Sequence, residues 1–160
     1  MASQDTATLS FAAFGIASQV VLVLYFAARR WRPQAAERHG WIAYAFAAFG
    51  LPLGVLLIFG GQSWRLYAGP ILLALWAALG AVVDLWRRLT WRDPIRWSVF
   101  VPYVGLYFWA QMFLWWPLWG LRRAAWLAFL VLFVVNTALN IRGHFGQHAA
   151  DLESRQLPLT

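Results

Sequence analysis

The sequence predicts an all-α integral membrane protein built as a bundle of five transmembrane helices. Of its 160 residues, 62% are hydrophobic and only 12% are charged, whereas soluble domains have about half apolar and a quarter charged residues. The apolar residues form five runs of about the 20 residues that a spanning helix needs. A soluble domain of this length could not bury so much apolar surface, so the bilayer is the expected solvent.

The five runs end at recognisable signals. Arginines and Pro33 close the first run, because proline cannot continue a helix. Asp93 and Pro94 are a typical helix start for the fourth, in which Pro102 and Pro117 predict kinks. The predicted spans are 10–28, 41–60, 66–86, 94–119 and 124–141.

The chain ends and the arginines predict an orientation. Residues 1–9 are expected to be extracytoplasmic and to carry no cleaved signal peptide. Residues 142–160 are expected to be a partly disordered cytoplasmic tail with a short helix near 147–155. With the N-terminus outside, ten of the thirteen arginines fall on the cytoplasmic side, as the positive-inside rule requires. Most tryptophans fall near the two predicted membrane interfaces.

Composition excludes several chemistries. The chain has no lysine and no cysteine, which excludes Schiff-base lysines, disulfides, thiolate catalysis, iron–sulfur clusters and cysteine-type zinc sites. The net charge of +7 is interpreted as topology and headgroup contact rather than nucleic-acid binding. No serine–histidine–carboxylate set is apparent, and a non-enzyme is favoured.

Small residues recur at four-residue spacing. Gly50 and Gly54 enclose a proline, and Ala74/Ala78 repeat the spacing on the third span. Such residues let helix backbones approach closely. Packing within the chain is favoured over a homodimer interface.

Asp84 is the only carboxylate inside a predicted span. It could anchor a proton or a ligand. It could instead pair with Arg88, four residues later, or with an arginine of the next loop, and this structural interpretation is favoured. Together the two residues predict a polar cluster at the inner face.

A polar and aromatic stripe marks the fourth span, where Tyr103, Tyr107, Gln111 and Trp115 share one helix face. Counting the helical rise from the inner ends places Asn136 of the fifth span near the level of Tyr103. Asn140 lies one turn further along. These residues could hold the polar end of a ligand, or they could bond one helix to the next.

Three histidines, His39, His144 and His148, are all predicted to be cytoplasmic. The last two have metal-ligand spacing. Gly143 and Gly146 argue against a helix there, and no metal site is predicted.

The segment Trp97-Ser-Val-Phe-Val-Pro-Tyr-Val-Gly-Leu-Tyr107 resembles a stretch of the tryptophan-rich sensory protein, or translocator, family. The segment from Val135 to Asn140 is similar to asparagine-bearing helices of that family. The resemblance covers about a quarter of the chain, falls on the fourth helix rather than the second, and lacks the W-x-P-P loop. It implies a five-helix bundle that binds porphyrins or sterol-like molecules, with Trp97, Pro102, Tyr107, Asn136 and Asn140 on the ligand side.

Three functions are therefore open. The first is a membrane protein that binds an apolar, aromatic-faced small molecule such as a tetrapyrrole, a carotenoid or a sterol-like lipid, because such pockets are mostly apolar with a few directional polar groups. The second is an accessory or assembly subunit of a larger membrane complex. The third is a small channel or transporter, which would need a continuous polar pathway.

Overall fold

A computed structural model describes the backbone of residues 2–87, 89 and 95–156, and the side chains of residues 5–87, 89 and 95–141. Within these residues the chain forms seven α-helices and one π-helical segment, Ala81–Trp86, that continues α5. The α-helices are α1 (Ala2–Trp31), α2 (Pro33–His39), α3 (Trp41–Ala48), α4 (Gly50–Phe59), α5 (Trp64–Gly80), α6 (Trp97–Leu121) and α7 (Arg123–Gln156).

Five stretches are long and apolar enough to cross a membrane, and each overlaps one of the predicted spans. They are Asp5–Trp31, Trp41–Phe59, Trp64–Trp86, Trp97–Leu121 and Arg123–Ile141. The all-helical class and the number of candidate spans are thus confirmed for the described residues. Both α5 and α6 stay helical through their internal prolines.

Helix boundaries differ from expectation at both ends of the chain. Helix α1 begins at Ala2, inside the segment expected to precede the first span. Helix α7 continues to Gln156, where a partly disordered tail with only a short helix near 147–155 was predicted. The reason for the second error is that Gly143 and Gly146 each cost only about 1 kcal/mol in a helix. A helix already nucleated by an apolar span can propagate through such a penalty.

Phe49 interrupts the second candidate span. Its backbone N–H donates to the carbonyl of Phe46, three residues back, at 3.1 Å. The cause lies at Pro52, which has no N–H to donate to the carbonyl of Ala48. The span is therefore divided into α3 and α4.

The five candidate spans pack in a ring that follows chain order. Helix α1 packs against α3. Helices α3 and α4 both pack against α5, and α5 packs against α6. Helix α6 packs against α7, and α7 closes the ring by packing against α1. Arg122 alone separates α6 from α7, so these two helices form a tight antiparallel hairpin.

Glycines make two of these contacts possible. A Cβ atom on Gly50 would lie 2.2 Å from the carbonyl oxygen of Pro70, and one on Gly54 would lie 2.5 Å from the Ile71 side chain. A Cβ on Gly69 would lie 2.8 Å from the backbone of Phe113 and Leu114. The Gly50/Gly54 motif thus packs α4 against α5 within the chain, as predicted.

The outer surface is strongly apolar. Phe59 is 86% exposed, and Leu56 and Trp116 are 69% and 68% exposed. A soluble monomer rarely exposes so much contiguous apolar surface, whereas lipid tails accept it. The packed core, with Phe11, Leu73, Leu114 and Phe129, lies inside the ring.

Candidate ligand-binding site

Trp76 lies at the centre of an aromatic cluster inside the ring. Its side chain is 2% exposed. Its ring centroid lies 5.4 Å from that of Tyr44, 5.6 Å from that of Tyr103 and 5.4 Å from that of Tyr107, each pair in a tilted arrangement. Such tilted contacts are favourable between aromatic rings. Four side chains from three spans are held together at this point.

One polar cluster lies on the α2 side of Trp76. The Tyr44 hydroxyl donates a 2.6 Å hydrogen bond to Oδ2 of Asp84, and it lies 3.1 Å from the Tyr103 hydroxyl. Asp84 is in the π-helical segment, so the cluster joins the second, third and fourth spans. The polar cluster around Asp84 therefore contains two tyrosines, Tyr44 and Tyr103, that were not predicted to belong to it. Arg88, its other predicted member, lies outside the described residues.

A second polar cluster joins α1, α6 and α7. Gln19 donates through Nε2 to Oε1 of Gln111. Asn136 donates through Nδ2 both to Oε1 of Gln19, at 3.2 Å, and to the Tyr107 hydroxyl, at 2.6 Å. Gln19, Gln111 and Asn136 are fully buried. The cluster is a set of interhelical hydrogen bonds of the kind that ties membrane bundles together.

Four buried polar atoms have no hydrogen-bond partner among the described residues. They are Nε1 of Trp76, Nε2 of Gln111, Nε1 of Trp115 and Oδ1 of Asn136. Buried polar groups in native proteins are nearly always bonded. Trp76 belongs to the aromatic cluster, and Gln111 and Asn136 belong to the second polar cluster. Three of the four atoms therefore lie in this region, which has unused hydrogen-bonding capacity.

A cavity of about 360 Å³ opens beside the aromatic cluster. Its walls are mostly aromatic and aliphatic, and the lining residues that carry polar groups are three tyrosines, one tryptophan, one asparagine and one arginine. The lining residues are Tyr25, Phe26, Arg29, Trp76, Ile95, Phe100, Tyr103, Val104, Tyr107 and Asn140. A small apolar molecule with one or two polar groups fits this chemistry.

A wider cavity of about 810 Å³ lies on the other side of Tyr25 and Arg29, which line both spaces. Its walls include Tyr44, Asp84 and Glu37. It is more polar than the first cavity, because it is bordered by α2 and by the end of the third span. Arg29 thus separates an apolar space from a polar one.

The predicted site residues divide into three groups. Tyr103, Tyr107 and Asn140 line the 360 Å³ cavity. Gln111 and Asn136 do not line this cavity and belong to the second polar cluster. Trp97 and Pro102 are exposed, and neither lines the cavity. Trp97 instead packs edge-on against Phe100, with ring centroids 5.5 Å apart.

The predicted tyrosine–asparagine pair is present, but one turn away from the expected position. Asn136 bonds to Tyr107 rather than lying at the level of Tyr103. Trp115, the last residue of the stripe, stacks on Trp126 with ring centroids 5.0 Å apart. The stripe therefore faces α7 at one end and the cavity at the other.

Five residues of the site were missed by the sequence analysis: Gln19, Tyr25, Arg29, Tyr44 and Trp76. Gln19 was recognisable in the sequence, because it is the only amide side chain in the first predicted span, which is mostly apolar. Trp76 was recognisable as a tryptophan far from both predicted interfaces. The tyrosines and Arg29 looked like ordinary interface residues, and only the packing of the ring assigns them to the cavity.

The histidines add no site that the structure describes. His144 and His148 lie in α7, but their side chains are outside the described set. Among the described residues no three histidine or carboxylate side chains are grouped as metal ligands would be. Comparison with protein families, with curated proteins and with solved structures finds no match to this chain.

Proposed function

We propose that this chain is a multi-pass membrane protein, with its N-terminus outside and its C-terminus in the cytoplasm, that binds an apolar, aromatic-faced small molecule within the bundle. The observation that carries the proposal is the 360 Å³ cavity beside Trp76, Tyr103 and Tyr107. Its size is at the lower end of the range for small-molecule sites. Its lining is mostly apolar with a few directional polar groups, as in such sites.

The lining suits a flat or conjugated molecule. The rings of Trp76, Tyr103 and Tyr107 offer faces for stacking. The Asn140 amide and the tyrosine hydroxyls offer hydrogen bonds to a polar edge. A tetrapyrrole, a carotenoid and a sterol-like lipid all meet this description in part.

Filling the cavity tests the proposal. The protein would be purified gently from its native membrane, and an absorption spectrum and a native mass spectrum would be recorded on the same sample. Val104→Trp places a large side chain on the cavity wall and is expected to remove the bound ligand. Val131→Trp makes the same change on α7, at an exposed position that does not line the cavity, and should retain it. Ligand retained equally by both variants would contradict the proposal, as would a wild-type protein that carries none.

An accessory or assembly subunit is the second candidate, favoured by the exposed face of α7. Leu127, Val131 and Val134 are each more than half exposed. Their spacing of four and three residues places them on one helix face. Stoichiometric partner chains after purification in mild detergent would support this function, whereas a lone monomer would count against it.

A further inference from the structure

Arg29 is a cation built into the wall of the proposed ligand cavity. It lies in the last turn of α1 and lines both the apolar and the polar cavity. Its side chain is only partly exposed, whereas Arg30 and Arg32 beside it are exposed. No hydrogen bond or ion pair joins Arg29 to a described residue.

No carboxylate among the described residues pairs directly with that charge. Two carboxylates share the polar cavity with it, those of Glu37 and Asp84. Glu37 is exposed to solvent, and Asp84 accepts the Tyr44 hydrogen bond. On the apolar side the other lining groups are all neutral. A charge that is partly withdrawn from water next to apolar walls is costly unless an opposite charge pairs with it.

We propose that the ligand is a lipophilic anion, in which a carboxylate or phosphate head pairs with Arg29 and an apolar body lies against Trp76, Tyr103 and Tyr107. The inference rests on the proposed function and names the chemistry of its ligand. A guanidinium presents paired donors that match both acid groups. The position of Arg29 on the border between the two cavities places the head toward the polar side and the body toward the aromatic side.

Two sources can supply this chemistry, a free carboxylate amphiphile or an anionic lipid of the surrounding bilayer. The probes are a fluorescent polyene fatty acid, cis-parinaric acid, and its uncharged methyl ester. Binding of each would be measured by fluorescence to the full chain in phosphatidylcholine nanodiscs, with the Val104→Trp protein as the background. The wild-type protein is expected to bind the acid on the order of tenfold more tightly than the ester.

Substitution assigns the preference to one residue. Arg29→Gln should bring acid and ester to nearly equal affinity, whereas Arg32→Gln, the same change at an exposed position three residues away, should leave the preference intact. Arg29→Lys keeps the charge and should keep part of the preference. Equal loss in Arg29→Gln and Arg32→Gln would overturn the assignment.

The outcomes separate this inference from the function on which it rests. If acid and ester bind the wild-type protein equally and Val104→Trp abolishes both, the anion proposal is wrong and the ligand cavity stands. If neither probe binds above background, both are wrong. When the acid is preferred, phosphatidylglycerol added to the nanodiscs identifies the source: displacement of the acid indicates a bilayer lipid, and no displacement indicates a free amphiphile.

Discussion

The side-chain amide of Asn136 donates a 2.6 Å hydrogen bond to the hydroxyl of Tyr107, and this bond joins α7 to α6 beside the ligand cavity. The same amide group also donates to Gln19 on α1. One asparagine thus connects three of the five candidate spans. The Tyr107 ring in turn packs on Trp76 of the third span, so the orientation of the cavity wall depends on this contact.

Replacing Asn136 should weaken the bundle. Asn136→Ala removes two hydrogen bonds and leaves Gln19 and Tyr107 without this donor, so we expect a loss of about 1–3 kcal/mol in the free energy of unfolding. Tyr107→Phe removes only the hydroxyl and should cost less. A double-mutant cycle on Asn136 and Tyr107 would be measured by unfolding in detergent. The coupling free energy between the two side chains should be about 0.6 kcal/mol, as is usual for hydrogen bonds between membrane helices, and at most about 2 kcal/mol.

A matched change on the same helix serves as the control for Asn136. Val134→Ala alters an exposed position and should change the free energy of unfolding by less than about 0.5 kcal/mol. A coupling of zero between Asn136 and Tyr107 would mean that their hydrogen bond does not contribute to stability.

Gly80 provides a test of the Tyr44 cluster. A Cβ atom at this position would lie 2.3 Å from the Tyr44 ring, so Gly80→Ala must displace Tyr44 from Asp84 and Tyr103. We expect a loss of about 1–3 kcal/mol in stability, the usual cost of overpacking.

Gly105→Ala is the control, because nothing lies within 4 Å of a Cβ there. Alanine at that helical position should be neutral or stabilising by up to about 1 kcal/mol. Thermal unfolding of both variants would be measured. Equal stabilities of Gly80→Ala and Gly105→Ala would contradict the close contact between Gly80 and Tyr44.

The fold was predictable because its signals are local. Length and hydropathy define each span independently of the others, and a four-residue spacing places Tyr103 and Tyr107 on one face whatever the neighbours are. Pro33 and the arginines mark helix ends in the same way. The continuation of α7 was missed because two glycines were given more weight than the helix that precedes them.

The site was less predictable because its contacts are distant in sequence. Gln19 and Gln111 are 92 positions apart, and their bond depends on the order of helices around the ring. The level of Asn136 was misjudged because the count started from predicted inner ends at 94 and 141, whereas α6 begins at Trp97 and α7 continues to Gln156. Counting residues in both directions from the tight turn at Arg122 gives Tyr107 as the partner of Asn136, because the two residues lie nearly equally far from the turn.

The contact of Gly50 with α5 predicts a stability defect without a change of oligomeric state. A Cβ on Gly50 would meet the backbone oxygen of Pro70 at 2.2 Å, and backbone cannot move aside as a flexible side chain can. Gly50→Ala should therefore destabilise the fold at least as much as Gly80→Ala, by about 1–3 kcal/mol or more. Light scattering on the detergent-purified protein should give the wild-type mass. A dimer lost on this substitution would instead assign the motif to an interface between copies.

The orientation in the membrane can be tested with single cysteines, because the chain has none of its own. Ser63, between α4 and α5, and Gln34, in α2, are both exposed. Ser63 makes no side-chain hydrogen bond at the start of α5, so Ser63→Cys should be tolerated. With the N-terminus outside, a membrane-impermeant maleimide should label Ser63→Cys in intact cells and label Gln34→Cys only after permeabilisation.

The arginine distribution is the physical reason for expecting this result. Arg29, Arg30, Arg32 and Arg38 flank Gln34, whereas Arg65 alone lies near Ser63, and short loops rich in arginine are retained in the cytoplasm. The reverse labelling pattern would mean that the N-terminus is in the cytoplasm and that Arg29 and the polar cavity lie at the outer face. Labelling of both positions in intact cells would mean that α3 and α4, divided at Phe49, do not cross the bilayer. That result would reduce the number of spans and remove the Tyr44 side of the aromatic cluster from the membrane.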